Sequence, residues 1–274
     1  MAPVLSNGSD DTSRDEFGLS TVRKLMTRKK QVDKPLGGQY DEVASRGVAN
    51  VSAGTDHAAS LRALGYSVDD TAGVPEGSAE MALGCGNPAA LARLRTGQVV
   101  LDLGSGGGLD AFVAAKKVGP EGRVIGVDAT AGMVQRATSF AVQGGYKNVE
   151  FKVGPIDRLP LDSGSFDVII SNCVINHVLD KVAAFKEAYR VLKPGGEICI
   201  ADLVVEGKVA QSDDPGMEVW KEWLAVACGE QAYIAAVKEA GFRDMVVNEV
   251  VYAGRAMISD LNGKIISLLI RARK

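Results

Sequence analysis

The sequence predicts a doubly wound α/β domain preceded by a helical N-terminal extension. A β-branched apolar run at 99–103 leads into a turn with glycines at 104, 106, 107 and 108, and an apolar helical segment follows at 109–118. Strand-like and helix-like segments then alternate, which is typical of a parallel sheet covered on both faces. Two further strand-like segments close the chain.

Each predicted strand is a short apolar or β-branched run bounded by turn residues. We place the strands at 99–103, 123–128, 149–154, 166–171, 197–203, 245–252 and 264–270. Apolar residues at helical spacing predict helices in the connections. We place these helices at 89–94, 109–118, 130–143, 181–192, 219–226 and 231–240. The run Lys193-Pro194-Gly195-Gly196 predicts the stop of the helix at 192, and Gly241 predicts the end of the last helix.

Three regions are predicted along the chain. Residues 1–38 form a disordered or helical basic arm, because a segment rich in Ser, Asp and Gly is followed by a basic run at 23–34. Residues 39–95 form a helical extension that covers the site, and residues 96–274 form the ligand-binding domain. The basic run is either a solvated face or a contact for an anionic partner.

Composition limits the classes of function. No apolar run reaches the roughly 18 residues that a membrane span requires, and the net charge of −3 gives no case for a nucleic-acid partner. The four cysteines are scattered without CxxC pairs, and the N-terminus has no apolar signal segment. These features predict free thiols and a cytoplasmic location. The oligomeric state stays open.

The glycine turn has the residues of a ligand site that does not bind a phosphate. Leu109 stands where the dinucleotide fingerprint requires its last glycine. Asp102, at the end of the preceding strand, would repel a pyrophosphate and suits a ligand that carries a cation. Asp128 ends the next strand and is placed to accept hydrogen bonds from two ribose hydroxyls. S-adenosylmethionine (SAM) carries an ammonium, a sulfonium and a ribose, and therefore fits.

These residues belong to a pattern that resembles the class I SAM-dependent methyltransferases over about 65–242. The motifs are Asp102-x-Gly104-x-Gly106, Asp128, the Leu159-Pro160 turn and the segment Val191-Leu192-Lys193-Pro194-Gly195-Gly196. The resemblance implies a Rossmann-like, seven-stranded fold, SAM as cofactor and a small-molecule acceptor. The expected cofactor contacts are Asp102, Gly104, Ser105, Gly106, Asp128, Ala129, Met133, Ile156, Asp157 and Asn172.

Within that class the chain looks most like the arsenite methyltransferase family. The marks are Leu83-Gly84-Cys85-Gly86-Asn87-Pro88, Gly145-Tyr146-x-Asn148-Val149-Glu150-Phe151 and Ile169-Ile170-Ser171-Asn172-Cys173-Val174-Ile175-Asn176. The resemblance implies that cysteine thiolates bind trivalent arsenic and that an arsenic electron pair attacks the SAM methyl group. Cys85 and Cys173 match the first two of the three cysteines in the family. A thiolate is the soft ligand that a thiophilic centre prefers.

The chain departs from that family beside the expected acceptor. The third cysteine falls at Trp223, and Cys228 lies further along the chain, rotated by ~140° if the segment is helical. His177 replaces an apolar residue and resembles the broader group of small-molecule methyltransferases. We therefore expect Asn176, Trp223 and Cys228 to line the acceptor pocket. Pro155 replaces an acid that helps hold the adenine, which leaves that task to Ile156 and Asp157.

Three functions stay open at this point. The chain methylates trivalent arsenic held by Cys85 and Cys173, or it methylates S, N, O or C of a small organic metabolite, or it binds SAM or arsenic without methylating. His177 accepts a proton from an amine or hydroxyl acceptor, orients its loop or contacts SAM. Cys199 lies within a predicted strand and is expected in the core.

Overall fold

A computed structural model describes residues 57–82, 84–206, 227–251 and 264–274. The predicted basic arm, the start of the helical extension, the helix at 219–226 and Trp223 lie outside these residues. The division of the chain at residues 38 and 95 remains a prediction. Within the described ranges, no helix has the length and apolarity needed to cross a bilayer.

Seven strands form one mixed sheet, as the sequence predicts. They are β1 (Val99–Leu103), β2 (Arg123–Asp128), β3 (Val149–Val153), β4 (Phe166–Asn172), β5 (Leu192–Glu206), β6 (Arg243–Val251) and β7 (Lys264–Arg273). The spatial order is β3-β2-β1-β4-β5-β7-β6. The first five strands pair in parallel, and β7 runs antiparallel to both β5 and β6.

The helices of the described residues pack on both faces of this sheet. They are α1 (His57–Ala63), α2 (Val68–Thr71), α3 (Glu76–Glu80), α4 (Pro88–Leu91), α5 (Leu109–Val118), α6 (Ala131–Gln143), α7 (Lys181–Val191) and α8 (Glu230–Glu239). A single 3-10 turn, Ile175–His177, follows β4. In α6 the buried residues Met133, Ala137 and Ala141 recur every four positions, so one stripe of the helix faces the sheet.

Alternation along β1 divides the core into two layers. Leu101 and Leu103 pack into the larger hydrophobic cluster with α7 and α8. Val100 packs on the opposite face, in the cluster that includes Ala111 and Ala114 of α5. Because side chains alternate along a strand, Asp102 shares the α5 face with Val100. The alternation of the strand therefore directs the Asp102 side chain toward α5.

The fifth strand starts earlier than the sequence predicts. Its pairing with β4 moves from Phe166↔Leu192 to Val168↔Glu197, so residues 193–196 bulge out within a strand that begins at Leu192. Gly195 has a φ of +76° in this bulge. The sequence therefore predicted the end of α7 correctly, at Val191. The segment that follows, however, already pairs with β4 and belongs to β5.

The order in which successive strands are added to the sheet reverses between β1 and β4. β1 and β4 pair in parallel with Leu103 opposite Ser171, and Ser171 Oγ donates to the Leu103 carbonyl at 3.1 Å. Strands β2 and β3 lie on one side of this pair, whereas β5 lies on the other. In open α/β sheets ligands bind outside the carboxyl ends of the strands at such a point. The glycine turn after β1 and Cys173 after β4 both lie there.

Candidate functional site

The glycine turn is closed by hydrogen bonds within the protein. The N–H groups of Gly104 and Ser105 both donate to the Val127 carbonyl, at 2.7 and 3.1 Å. The Gly106 N–H donates to Asp128 Oδ2 at 2.9 Å. These three N–H groups are therefore already bonded to β2 and its last residue, so a ligand at this turn would be recognised by other groups.

Two glycines of the turn have different structural roles. Gly104 has a φ of +69°, and a Cβ there would lie 2.2 Å from a methyl group of Val174. The segment after β4 can therefore pack directly against the turn. Gly106 has a φ of +49°, and a Cβ there would meet nothing within 4 Å. Its side of the turn leaves room for a ligand.

Carboxylates converge behind the turn. Asp102 is 2% exposed, and its Oδ2 has no hydrogen-bond partner among the described residues. Burial, followed by the charges of Asp110 and Asp128, raises the pKa of Asp102 well above its ordinary value. Burial also raises the pKa of Asp110 to about 6. A bound cation would relieve this repulsion, so the cluster fits the ammonium and sulfonium of SAM.

Asp128 is fixed at the end of β2. Its Oδ1 accepts from the Thr130 N–H at 2.9 Å, which complements the bond from the turn to Oδ2. Burial raises its pKa, and these N–H donors oppose that rise. Each oxygen retains a lone pair for a hydroxyl donor. The position fits a ribose.

The remaining expected cofactor residues differ in exposure. Met133 and Ile156 are buried apolar side chains, whereas Ala129 and Asp157 are exposed. Ser105 is buried, and its Oγ has no hydrogen-bond partner within the described ranges. The contacts of these residues with SAM remain predictions.

The structure brings Cys85 and Cys173 together. Their Sγ atoms and a carboxylate oxygen of Asp202 all lie within 4.8 Å of one another. Asp202, on β5, was not among the expected site residues. No local sequence pattern identifies it, because it lies inside the apolar run of β5 and does not end the strand as Asp128 ends β2.

Cys85 is positioned by Asn172 and by the glycines on either side of it. Its N–H donates to Asn172 Oδ1 at 2.9 Å. A Cβ at Gly84 would lie 2.4 Å from Asn172 Nδ2, and a Cβ at Gly86 would lie 2.8 Å from a β5 side chain. The Gly-Cys-Gly sequence therefore lets this loop lie directly on the ends of β4 and β5.

The Asn172 amide joins the Cys85 loop to α5. Its Nδ2 donates to the Gly86 carbonyl at 2.8 Å and to Asp110 Oδ2 at 2.9 Å. Tyr66 donates to Asp110 Oδ1 at 2.8 Å. Asn172 was expected to contact the cofactor, which remains a prediction, but its side chain is already bonded to protein groups. Tyr66 and Asp110 are site residues that the sequence did not identify.

Cys173 occupies an unusual backbone conformation. Its φ is +58°, in the left-handed region that non-glycine residues rarely adopt. Its N–H donates to the Ala201 carbonyl of β5 at 2.8 Å, which holds this conformation. Burial, followed by the hydrogen bond with Cys173, raises the pKa of the Cys85 thiol well above its ordinary value. Such local strain is typical of functional positions.

His177 is a weak base in this position. Burial, followed by the charge of Lys181, lowers its pKa to about 4, although a hydrogen bond to the Cys173 backbone opposes that shift. The imidazole is therefore neutral at pH 7. The neutral ring is a weak base, and its roles as proton acceptor, as a residue that orients the loop or as a contact for SAM all remain predictions.

Asp202 is held by three donors. Its Oδ2 accepts from the Asn176 N–H and from the Tyr233 hydroxyl, both at 2.8 Å, and its Oδ1 accepts from the Leu203 N–H at 3.0 Å. Burial raises the pKa of Asp202 to about 6. Asn176, expected to line the acceptor pocket, is fully buried and supports Asp202 through its backbone.

Cys228 lies outside the group of Cys85, Cys173 and Asp202. It is half-buried, and its carbonyl accepts from the Val205 N–H at 3.2 Å. Burial raises the pKa of its thiol, and the charge of Lys181 opposes that rise. Among the described residues, the thiols gathered with Asp202 are those of Cys85 and Cys173. Cys199 is fully buried within β5, as expected.

Comparison with known proteins identifies related sequences and structures. Residues 94–241 match the family model described as a methyltransferase domain. An arsenite methyltransferase of Halobacterium salinarum is 50% identical over 141 residues, which are 52% of this chain and 36% of that protein. The arsenite methyltransferase of Aquipseudomonas alcaligenes is 41% identical over 177 residues, which are 62% of this chain and 50% of that protein.

A solved structure supports the same relationship. CrArsM, an arsenic (III) S-adenosylmethionine methyltransferase from Chlamydomonas reinhardtii, is 37% identical with a TM-score of 0.63. The match covers 75% of this chain and 72% of that one. The chain spans between 36% and 50% of the length of the two curated relatives.

Proposed function

This chain belongs to the methyltransferase-domain family, with SAM as its cofactor, and on that premise we propose that it methylates a soft acceptor, such as trivalent arsenic, held by Cys85 and Cys173. The observation that carries this proposal is the meeting of the two thiols with Asp202 at the carboxyl edge of the sheet. That edge also contains the glycine turn.

The cofactor end of the site is built from acids. The sulfonium of bound SAM supplies an electrophilic methyl group. Asp102 has a buried carboxylate oxygen without a partner among the described residues, which would receive the ammonium of SAM. Asp128, which Gly106 and Thr130 hold in place, would accept from the ribose hydroxyls. Gly106 leaves space on its side of the turn. These residues bind and orient the cofactor rather than react with it.

The acceptor end is built from the two cysteines. Each thiol would give up its proton as its sulfur displaces a hydroxide from arsenite, so that one water leaves for each sulfur bound. The lone pair on arsenic would then bond to the methyl carbon while the bond from that carbon to the SAM sulfur breaks, and S-adenosylhomocysteine would leave. Asn172 fixes the Cys85 backbone, and the left-handed Cys173 presents the second sulfur. Of the two thiols, Cys85 is buried and Cys173 is half-buried, so an acceptor would reach the pair from the Cys173 side.

Methylation of arsenite tests this proposal. The protein is incubated with SAM, a thiol reductant and arsenite, and methylated arsenic is measured by chromatography coupled to elemental detection. We expect product with the native chain and loss of most product with Cys173→Ser, whereas Cys199→Ala, which changes a core thiol, retains activity. Product that persists in Cys173→Ser contradicts the two-thiolate mechanism.

A small organic acceptor is the second candidate. It is favoured by the absence of a third thiol from the group of Cys85, Cys173 and Asp202 in the described part of the chain. Trivalent arsenic would then have two sulfur ligands where the family has three. If the protein binds SAM but forms no methylated arsenic, this candidate replaces the first.

A further inference from the structure

We propose that Cys85, Cys173 and Asp202 form a binding site for a thiophilic divalent cation, with Zn²⁺ as the best match. This inference does not depend on methyl transfer. The three side chains come from a loop that precedes β1, from the residue after β4 and from the carboxyl-terminal half of β5, so the fold and not a local motif assembles them.

The separations suit one ion. Three ligand atoms that all lie within 4.8 Å of one another have a common centre no more than about 2.8 Å from each, if the triangle is equilateral. Zinc bonds to sulfur at about 2.3 Å and to carboxylate oxygen at about 2.0–2.2 Å. An inward shift of at most roughly 0.5–0.8 Å by each side chain would complete the bonds.

The donor set selects the class of ligand. Two thiolates and one carboxylate are a mixture of soft and hard donors, which suits a borderline ion such as Zn²⁺. Three protein ligands leave the fourth position of a tetrahedron open. Cys173 is half-buried, whereas Cys85 and Asp202 are buried, so the open position would face the Cys173 side. An acceptor bound through sulfur could enter there, and arsenite would compete with the cation.

The carboxylate has the supporting contacts of a metal ligand. Tyr233 and the Asn176 N–H both donate to Oδ2, and the Leu203 N–H donates to Oδ1. Hydrogen bonds of this kind orient metal-binding carboxylates and are part of the design of such sites. Among the described residues Oδ1 accepts the single bond from Leu203, so it has a further lone pair for an ion.

Cobalt titration tests the site. Metal-free protein in a non-thiol reductant is titrated with Co²⁺, which reports thiolate ligation by a near-ultraviolet charge-transfer band and tetrahedral geometry by visible absorption. We expect both signals to saturate at one ion per chain, protons to be released as the thiols ionise, and Zn²⁺ to displace the cobalt. Absence of the charge-transfer band at stoichiometric cobalt overturns the proposal.

Variants assign the ligands. Cys173→Ser should remove about half of the charge-transfer intensity because one of two thiolates is lost, and Asp202→Asn should weaken cobalt binding by about tenfold or more. Cys199→Ala and Asp162→Asn change a core thiol and an exposed acid, and both should titrate like the native chain. A band that is unchanged in Cys173→Ser refutes this ligand set.

Circular dichroism of each variant establishes that it is folded, and Cys173→Ser is preferred to a Cys85 variant because Cys173 is less buried. SAM binding is measured separately by calorimetry. A chain that binds SAM and methylates arsenic but gives no cobalt band retains the proposed function and loses this inference. A chain that binds cobalt but methylates no arsenic retains this inference and loses the proposed function.

Discussion

The low basicity of His177 predicts a specific dependence of stability on pH. Its pKa is about 4 in the folded protein, against an ordinary value of 6.5. A histidine with a depressed pKa takes up a proton more readily when the chain unfolds. The free energy of unfolding is therefore unaffected by this histidine above pH 6.5. It falls as the pH drops from 6.5 toward 4, because only the unfolded chain binds the proton in that range. Between pH 7 and pH 5 the loss amounts to about 2 kcal/mol.

Replacement by glutamine isolates this contribution. His177→Gln retains a planar polar side chain that can donate to the Cys173 backbone but does not titrate. Urea unfolding of both proteins is measured at pH 7 and pH 5, and the fall in the free energy of unfolding should be about 2 kcal/mol larger for the native chain. Asp110 and Asp202, whose raised pKa values act in the opposite direction, contribute equally to both proteins and cancel. Equal pH dependence in the two proteins refutes the reasoning.

Three further predictions concern the turn, the amide and the ribose position. Gly104→Ala should destabilise the fold by more than Gly73→Ala, because both replace a glycine of positive φ but only the first brings a Cβ against a neighbour; the comparison is made by urea unfolding, and equal losses would contradict it. Asn172→Ala should cost about 2–3 kcal/mol in the same assay, since it leaves a buried carboxylate oxygen and a buried N–H without their partners. Asp128→Ala should weaken SAM binding by ~1–3 kcal/mol in calorimetry, and an unchanged dissociation constant would exclude its ribose role.

Sequence patterns predicted the strands and the helix around the glycine turn well. The bounds of β1, α5 and β2 agree with the predicted segments at 99–103, 109–118 and 123–128. The reason is that glycines and an acid stand at the ends of short apolar runs, and these residues mark where each strand or helix ends. The prediction of seven strands is also confirmed.

The acceptor end depends on contacts that local patterns do not contain. Asp202 lies inside an apolar stretch, and only the register of β4 against β5 places it beside Cys173. Tyr66 follows an ordinary glycine break, yet it donates to Asp110, 44 positions away. Residues 193–196 predict an interruption between α7 and the next strand. Whether such residues precede the strand or form a bulge within it depends on the pairing with the neighbouring strand.

The hydrogen bond from Ser267 Oγ to the Cys85 carbonyl, at 2.7 Å, joins residues 182 positions apart. The cofactor end, by contrast, joins Gly106 to Asp128 across 22 positions. Closing the longer loop costs more chain entropy, so contacts of this kind form late during folding. The glycine turn can therefore be complete while the last strand is still being synthesised, whereas Cys85 acquires its final support only after β7 has joined the sheet.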